Sequence, residues 1–207
     1  MYEWTQDDAQ AFVAFCVSLG ITDYTVPLRV FSNESNNEPN PPRDGPAVGL
    51  CQFEPATLKG LGYPLATDPN LDAFCAMTVA QQLGWCVKYY GSYRAHCGTV
   101  AGFYLATFLP AQCHLETQPD AIVCGPGVYE WAYAPNAGFD RAKRGYIVVQ
   151  DLVDAADRQY GPRAQAIAAL VARHVDTNPE VDNPPSSDRI VEPSDIGPTA
   201  PVTLPGK

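Results

Sequence analysis

Positive charge is what this chain has least of. It carries 13 Lys and Arg against 23 Asp and Glu, a net charge of −10. That balance argues against nonspecific nucleic-acid binding, which needs basic side chains to neutralise phosphates. It gives no basis for adhesion to an anionic membrane surface either. No apolar run is long enough to span a bilayer. The N-terminus, MYEWTQDDAQ, lacks the basic segment and long apolar stretch of a signal peptide. Histidine is scarce: His96, His114 and His174 are scattered, with no HExxH, and no CxxC pair occurs. No metal site, dithiol chemistry or cofactor is therefore expected. Strand signals are scarce too, the one short extended candidate being Tyr146 to Val149.

What is present is a sizeable core. Hydrophobic residues make up 46% of the 207, enough for one globular domain with a tail. Seven cysteines occur, several within apolar runs such as AFVAFCVSLG and LGWCVKYY, and they read as reduced, small core hydrophobes. That use of thiols, without a signal peptide, predicts synthesis in a cytoplasm.

The periodicity predicts a mainly α fold. Thr5 with Asp8 resembles a capping box ahead of Phe12, Phe15, Cys16 and Leu19, and Gly20 ends that segment. A short helix is predicted from about 25 to 35, with Pro27 in its first turn, then a loop rich in Asn, Pro and Gly. Pro55 starts another short helix. The longest candidate runs from about 70 to 90, a further helix covers about 98 to 108, and 111 to 127 reads as an irregular loop. Shorter helices follow at about 127 to 134, 148 to 159 and 162 to 174. From 177 onward seven of the last 31 residues are proline and aromatics vanish, which predicts an extended tail or docking segment at 177–207 behind a domain at 1–176.

One residue stands against this pattern. Glu34, in the run RVFSNESNN, lies three and four positions after Phe31 and Val30, on the apolar side of its helix and at its C-terminal end. Partial burial there disfavours the charged carboxylate, and the negative end of the helix dipole acts in the same direction. A carboxyl that keeps its proton near neutral pH suits a general acid.

Thirteen residues later begins AVGLCQFEPATLKGLGY. Glu34–Ser35 followed by Gly49, Leu50, Cys51, Gln52, Phe53, Pro55, Thr57 and Gly62 resembles the lysozyme-like lytic transglycosylases, the soluble transglycosylase family. That family has an ES pair ending a helix, then a GLMQ-type segment, then a helix bearing an AYN-like motif. Cys51 stands where the family has Met. The third motif falls in GTVAGFYLATFLPAQ, where Tyr104 is the matching tyrosine and Leu105 replaces the asparagine. The resemblance covers roughly residues 22 to 110, with a helical C-terminal part at 127–174.

The resemblance implies a lysozyme-like helical domain with a cleft, and Glu34 as the single catalytic acid and base. It would cleave the β-1,4 bond between N-acetylmuramic acid and N-acetylglucosamine in peptidoglycan, closing a 1,6-anhydro ring. Substrate-binding positions would be Ser35, Gly49, Gln52 and Tyr104. Gly49 would let backbone approach a sugar, Gln52 would bond an N-acetyl group or hydroxyl or else brace its loop, and Tyr104 would support the carboxyl, touch sugar, or serve as core. Glu34 is expected at the base of an open groove within reach of Gln52 and Tyr104. Asp44 is the residue that would serve a hydrolytic, muramidase-like version. Trp85, Tyr89, Tyr90 and Tyr93 read as core first and as groove lining second.

A second pattern lies at residues 136 to 157. Asp140, Gly145, Ile147 and Asp151 fall at positions 1, 6, 8 and 12 of an EF-hand-type calcium loop, but Ala142 and Arg144 replace the oxygen ligands at positions 3 and 5. The expected outcome is the loop's shape without metal. Such segments resemble virus-encoded lysozyme-like proteins. Together these readings imply a bacteriophage virion enzyme, made in the host cytoplasm, carried in tail or capsid, and acting on glycan strands of the cell wall. Its tail would hold other virion proteins. A structural virion protein without catalysis, or a free endolysin, are the alternatives.

Overall fold

A computed structural model describes residues 2–42, 45–64 and 68–177, with backbone alone at 68–70. The molecule is mainly helical. Asp44 and the proline-rich stretch from 178 onward lie outside the described residues.

Helix α1, Gln6–Leu19, starts at the expected capping box: Asp8 N donates to Thr5 Oγ1 (3.2 Å) and Thr5 N to Asp8 Oδ2 (2.9 Å). Aspartate thus serves where Glu or Gln is usual. Gly20, with φ of +72°, ends the helix. Helix α2, Thr25–Ser35, has Pro27 in its first turn and buries Val26, Leu28, Val30, Phe31 and Ser32. Helix α3 is Pro55–Gly60, with Pro55 opening it.

The single long helix expected from 70 to 90 is two helices. α4, Asp68–Cys75, stops, and α5, Val79–Tyr90, begins afresh at Thr78. The cause is local: Thr78 Oγ1 accepts from Gln81 N (3.2 Å) while Gln81 Oε1 accepts from Thr78 N (2.9 Å). A T-x-x-Q capping box overrides the continuing apolar stripe. α6, Val100–Phe108, is capped by Thr99, whose hydroxyl accepts from Gly102 N (3.0 Å).

The region expected as an irregular loop, 111 to 127, is partly regular. A 3-10 segment, Pro110–Leu115, leads to strand β1, Ile122–Cys124. β1 pairs antiparallel with β2, Ile147–Val148, through Ile122 with Val148 and Cys124 with Ile147. The extended piece expected at 146 to 149 is therefore a strand, with a partner too short to show periodicity. α7, Glu130–Tyr133, α8, Val149–Gln159, and α9, Pro162–Thr177, complete the order.

The core is aromatic where α1, α2, α5 and α6 meet. Phe31 and Phe103 sit 5.7 Å apart edge to face, and Tyr90 stacks on Phe103 at 4.3 Å. Such pairs add about 0.5–1.5 kcal/mol each beyond area burial. Tyr90 is fully buried in the core, and Tyr89, half-buried, packs against it and donates to Ala106 O (2.7 Å). All seven cysteines are buried and free, consistent with small core hydrophobes.

One buried amide joins the halves. Gln82, only 1% exposed, donates from Nε2 to Pro39 O (2.7 Å) and accepts at Oε1 from Leu50 N (2.9 Å). It thereby fixes both ends of the loop that follows α2. Gln82→Leu keeps the volume but leaves a buried N–H and carbonyl unpaired, at a cost of roughly 2–4 kcal/mol. Urea unfolding should show a lower midpoint at unchanged slope, and a loss below about 1 kcal/mol would remove Gln82 from this role.

Candidate active site

The candidate site is built at the C-terminal end of α2. The helix stops because Asn36 and Asn37 both adopt left-handed backbone, φ of +54° and +55°. Asparagine tolerates that region better than most residues. Asn36 N donates to Ser32 O (3.1 Å) and Asn37 N to Phe31 O (3.1 Å), which satisfies carbonyls that a helix end leaves open. Asn37 is fully buried, and its Nδ2 donates to Ser32 Oγ (2.7 Å). From outside, Arg163 Nε of α9 donates to Asn36 O (2.8 Å), and Trp4 Nε1 to Asn37 O (2.9 Å).

Glu34 is the second-last residue of this helix and is half-buried. Tyr104 Oη donates to its Oε1 at 2.7 Å, and Asn33 Nδ2 approaches the same oxygen at 3.5 Å. Asn33 also donates to the Tyr104 hydroxyl. Among the described residues nothing bonds Oε2. Burial pushes the Glu34 carboxyl above the usual carboxylate range, and the Tyr104 and Asn33 hydrogen bonds pull it only part of the way back. Burial and the neighbouring Glu34 charge likewise raise the Tyr104 hydroxyl, so it remains a donor.

The GLCQ segment is a tight turn. Val48 and Phe53 bridge it antiparallel, with Phe53 N donating to Val48 O (2.8 Å), and Gly49 and Gln52 take positive φ of 75° and 49°. Ser35, 3% exposed, ties the turn to α2 by donating to Leu50 O (2.9 Å) and Phe31 O (3.1 Å). A Cβ on Gly49 would lie 2.7 Å from both Gln82 Oε1 and Phe74 Cε1. Glycine is thus required here by packing inside the protein and by the positive φ. Gln52 Nε2 donates to Gly49 O (2.9 Å), which is the loop-bracing arrangement. Cys51 is buried with its sulfur against that of Cys86, and burial raises its thiol well above the ordinary value.

The structure therefore brings Glu34 and Tyr104 together and links Ser35 to the GLCQ turn. It turns the amide of Gln52 to its own loop and buries Tyr104 fully, with its hydroxyl bonded to the carboxyl. Asn33 was readable as the first letter of NES, yet nothing in helical spacing distinguishes it from a solvated asparagine. It faces the Tyr104 hydroxyl, in the motif where Leu105 stands instead of asparagine. Beside it opens a groove of about 310 Å³, lined by Asn33, Asn136, Phe139, Arg158 and Gln159 among others. Glu34 does not itself line this groove and adjoins it through Asn33.

The calcium-like loop carries its own cation. Arg144 Nε lies 3.4 Å from Asp140 Oδ1, and its other end pairs with Asp151, so one guanidinium joins positions 1 and 12. Tyr133 Oη (3.0 Å) and Gly145 N (2.8 Å) also donate to Asp140. Burial pushes the Asp140 carboxyl up, but these donors outweigh it and hold it at about 2. Among the described residues no group of three or more His, Cys, Asp or Glu is placed to hold a metal ion, and no helix is long and apolar enough to cross a membrane. Compared with family models, with curated proteins and with solved structures, the chain matches none of them.

The raised Glu34 carboxyl makes stability depend on pH. The folded state holds this proton more tightly than the unfolded chain, so the group's contribution is fully present below the ordinary value of 4.5 and is lost as pH rises through the raised value. Glu34→Gln removes that loss, and at about pH 8 it should raise Tm by roughly 2–4 °C. A lower Tm, or an unchanged pH slope, would contradict the placement of the carboxyl.

Proposed function

We propose that the protein is a peptidoglycan-cleaving enzyme of the lytic transglycosylase type, borne by a bacteriophage virion. The observation that carries this reading is the 2.7 Å hydrogen bond from Tyr104 to a half-buried Glu34 whose carboxyl is raised by desolvation. The ES and GLCQ motifs, whose order resembles that family, support it further: they meet through the Ser35–Leu50 hydrogen bond.

The two carboxyl oxygens of Glu34 have different environments. Oε1 accepts from Tyr104 and is held in place, while Oε2 has no partner among the described residues. In the proposed reaction Oε2 carries the proton. It protonates the glycosidic oxygen between N-acetylmuramic acid and N-acetylglucosamine as the C1–O bond breaks. The resulting carboxylate then takes the proton of the muramoyl 6-hydroxyl, and that oxygen closes on C1 to form the 1,6-anhydro ring. One carboxyl serves as acid and then base, so no second carboxylate is needed, unlike the usual glycosidase pair. Tyr104 steadies the transient carboxylate, a charge-assisted hydrogen bond.

The strong negative charge of the chain, −10, opposes an anionic cell wall. Tethering in a virion offsets this by raising the local concentration at the wall, and the proline-rich segment from 178 onward is the proposed tether.

Purified peptidoglycan and mass spectrometry of its products test this directly. The wild-type protein should release muramoyl ends lighter by one water than reducing ends. Glu34→Gln should lower the rate by roughly 100- to 10,000-fold, and Tyr104→Phe by less. Reducing ends in place of anhydro ends would make the enzyme a hydrolase. Absence of cleavage by the wild-type protein would favour a structural virion protein.

A further inference from the structure

We infer that Arg158 makes the groove beside Asn33 a subsite for a carboxylate carried on the glycan. This rests on the glycan-cleaving reading and deepens it: the ligand class is a saccharide bearing a free acid, such as the lactyl carboxylate of N-acetylmuramic acid in glycan without stem peptides, in preference to a neutral saccharide.

The argument begins with charge pairing along α8. That helix holds three acids, and each is engaged elsewhere. Asp151 pairs with Arg144, Asp154 accepts from Gln150 Nε2 (2.7 Å), and Asp157 pairs with Arg29 (2.6 Å). Arg158, in the last turn of the same helix, is exposed and lines the groove, and among the described residues no acceptor bonds its guanidinium. Asp154, one turn earlier, is the natural helical partner at i−4, and it bonds Gln150 instead. An arginine presents five donors in a fixed fork that matches a carboxylate in two places.

Its surroundings fit a sugar acid. Asn33, Asn136 and Gln159 supply amides suited to hydroxyl and acetamido groups, and Phe139 supplies a flat apolar wall. Phe139 also packs edge to face on Tyr104 at 5.7 Å, which joins the groove to the Glu34 cluster. Asn33, which lines the groove together with Arg158, donates to the Tyr104 hydroxyl and so ties the groove to the Glu34 cluster. In a chain of net charge −10, a groove-lining guanidinium without a partner among the described residues gives an anionic ligand a defined point of attachment. The alternative is that Arg158 serves only the helix dipole, a role that needs no ligand and no groove.

Binding separates this from catalysis. The ligands are a stem-free tetrasaccharide of alternating N-acetylglucosamine and N-acetylmuramic acid, and its lactyl methyl ester, each titrated into full-length Glu34→Gln protein by calorimetry. The acid should bind roughly fivefold or more tighter than the ester, and added salt should shrink the difference. In the Glu34→Gln/Arg158→Gln protein the two ligands should bind alike, and Arg158→Lys should keep part of the preference. Equal binding of acid and ester by the Glu34→Gln protein overturns the inference, as does discrimination that survives Arg158→Gln. Should the wild-type protein fail to cleave glycan while the preference persists, the catalytic reading falls and the carboxylate subsite stands.

Discussion

The C-terminal turn of α2 must be buried and polar at once. Its apolar residues, Val30 and Phe31, belong to the core, so most of the last turn is packed away from water even though Asn36 is exposed. An unpaired backbone carbonyl there would cost on the order of 1–3 kcal/mol. The chain resolves this with side chains: Ser32, Ser35 and Asn37 bond the turn internally, and Arg163 and Trp4 close it from outside. The cost is visible in Asn37 Oδ1, which is buried without a hydrogen-bond partner among the described residues. A polar pocket made to end a helix is also where a carboxyl can be held half out of water, and Glu34 occupies it.

The same constraint orders the rest. Ser35 caps its own helix and binds Leu50, so the turn that ends α2 also sets the position of the GLCQ loop. Gln82 fixes the opposite side of that loop through Leu50 N and excludes any side chain at position 49. α6 then needs only one residue in register, Tyr104, to hold a Glu34 oxygen. The proposed chemistry uses asymmetry within one carboxyl group, one oxygen anchored and the other without a partner among the described residues, and Arg158 on α8 gives the adjoining groove a charge preference.

Much of this was legible in the residues, and the gaps have physical causes. The α1 capping box and the α2 boundaries are local hydrogen-bond patterns that a short window contains. Glu34 was conspicuous as a carboxylate on an apolar face, but a snorkelling side chain would explain that alone, and only the GLCQ segment behind it gave the position its reading. The break between α4 and α5 was also written locally, in T-x-x-Q, but the apolar stripe across 71 to 90 obscured it. β1 was hidden because three residues are too few for alternation. Gln82 and Asn33 could not be singled out, since their partners lie 32 and 71 positions away and an amide's role depends wholly on its partners. The packing of Gly49 against Phe74 and Gln82 could not be read either, since both lie more than 20 positions away. Arg158 carries no signal in the sequence, because its pairing depends on which partners the acids of α8 find in the fold.

The ionisation of Glu34 is the most direct test of this arrangement. Carbon-13 NMR titration of its side-chain carboxyl, assigned with Glu34→Gln, reports it without substrate. The carboxyl should titrate above the ordinary glutamate value of 4.5, and Tyr104→Phe should raise it further, because the phenol stabilises the ionised form. A titration at or below the ordinary value, or a Tyr104→Phe shift downward, would show that burial does not govern this carboxyl and would contradict its role as a proton-holding acid.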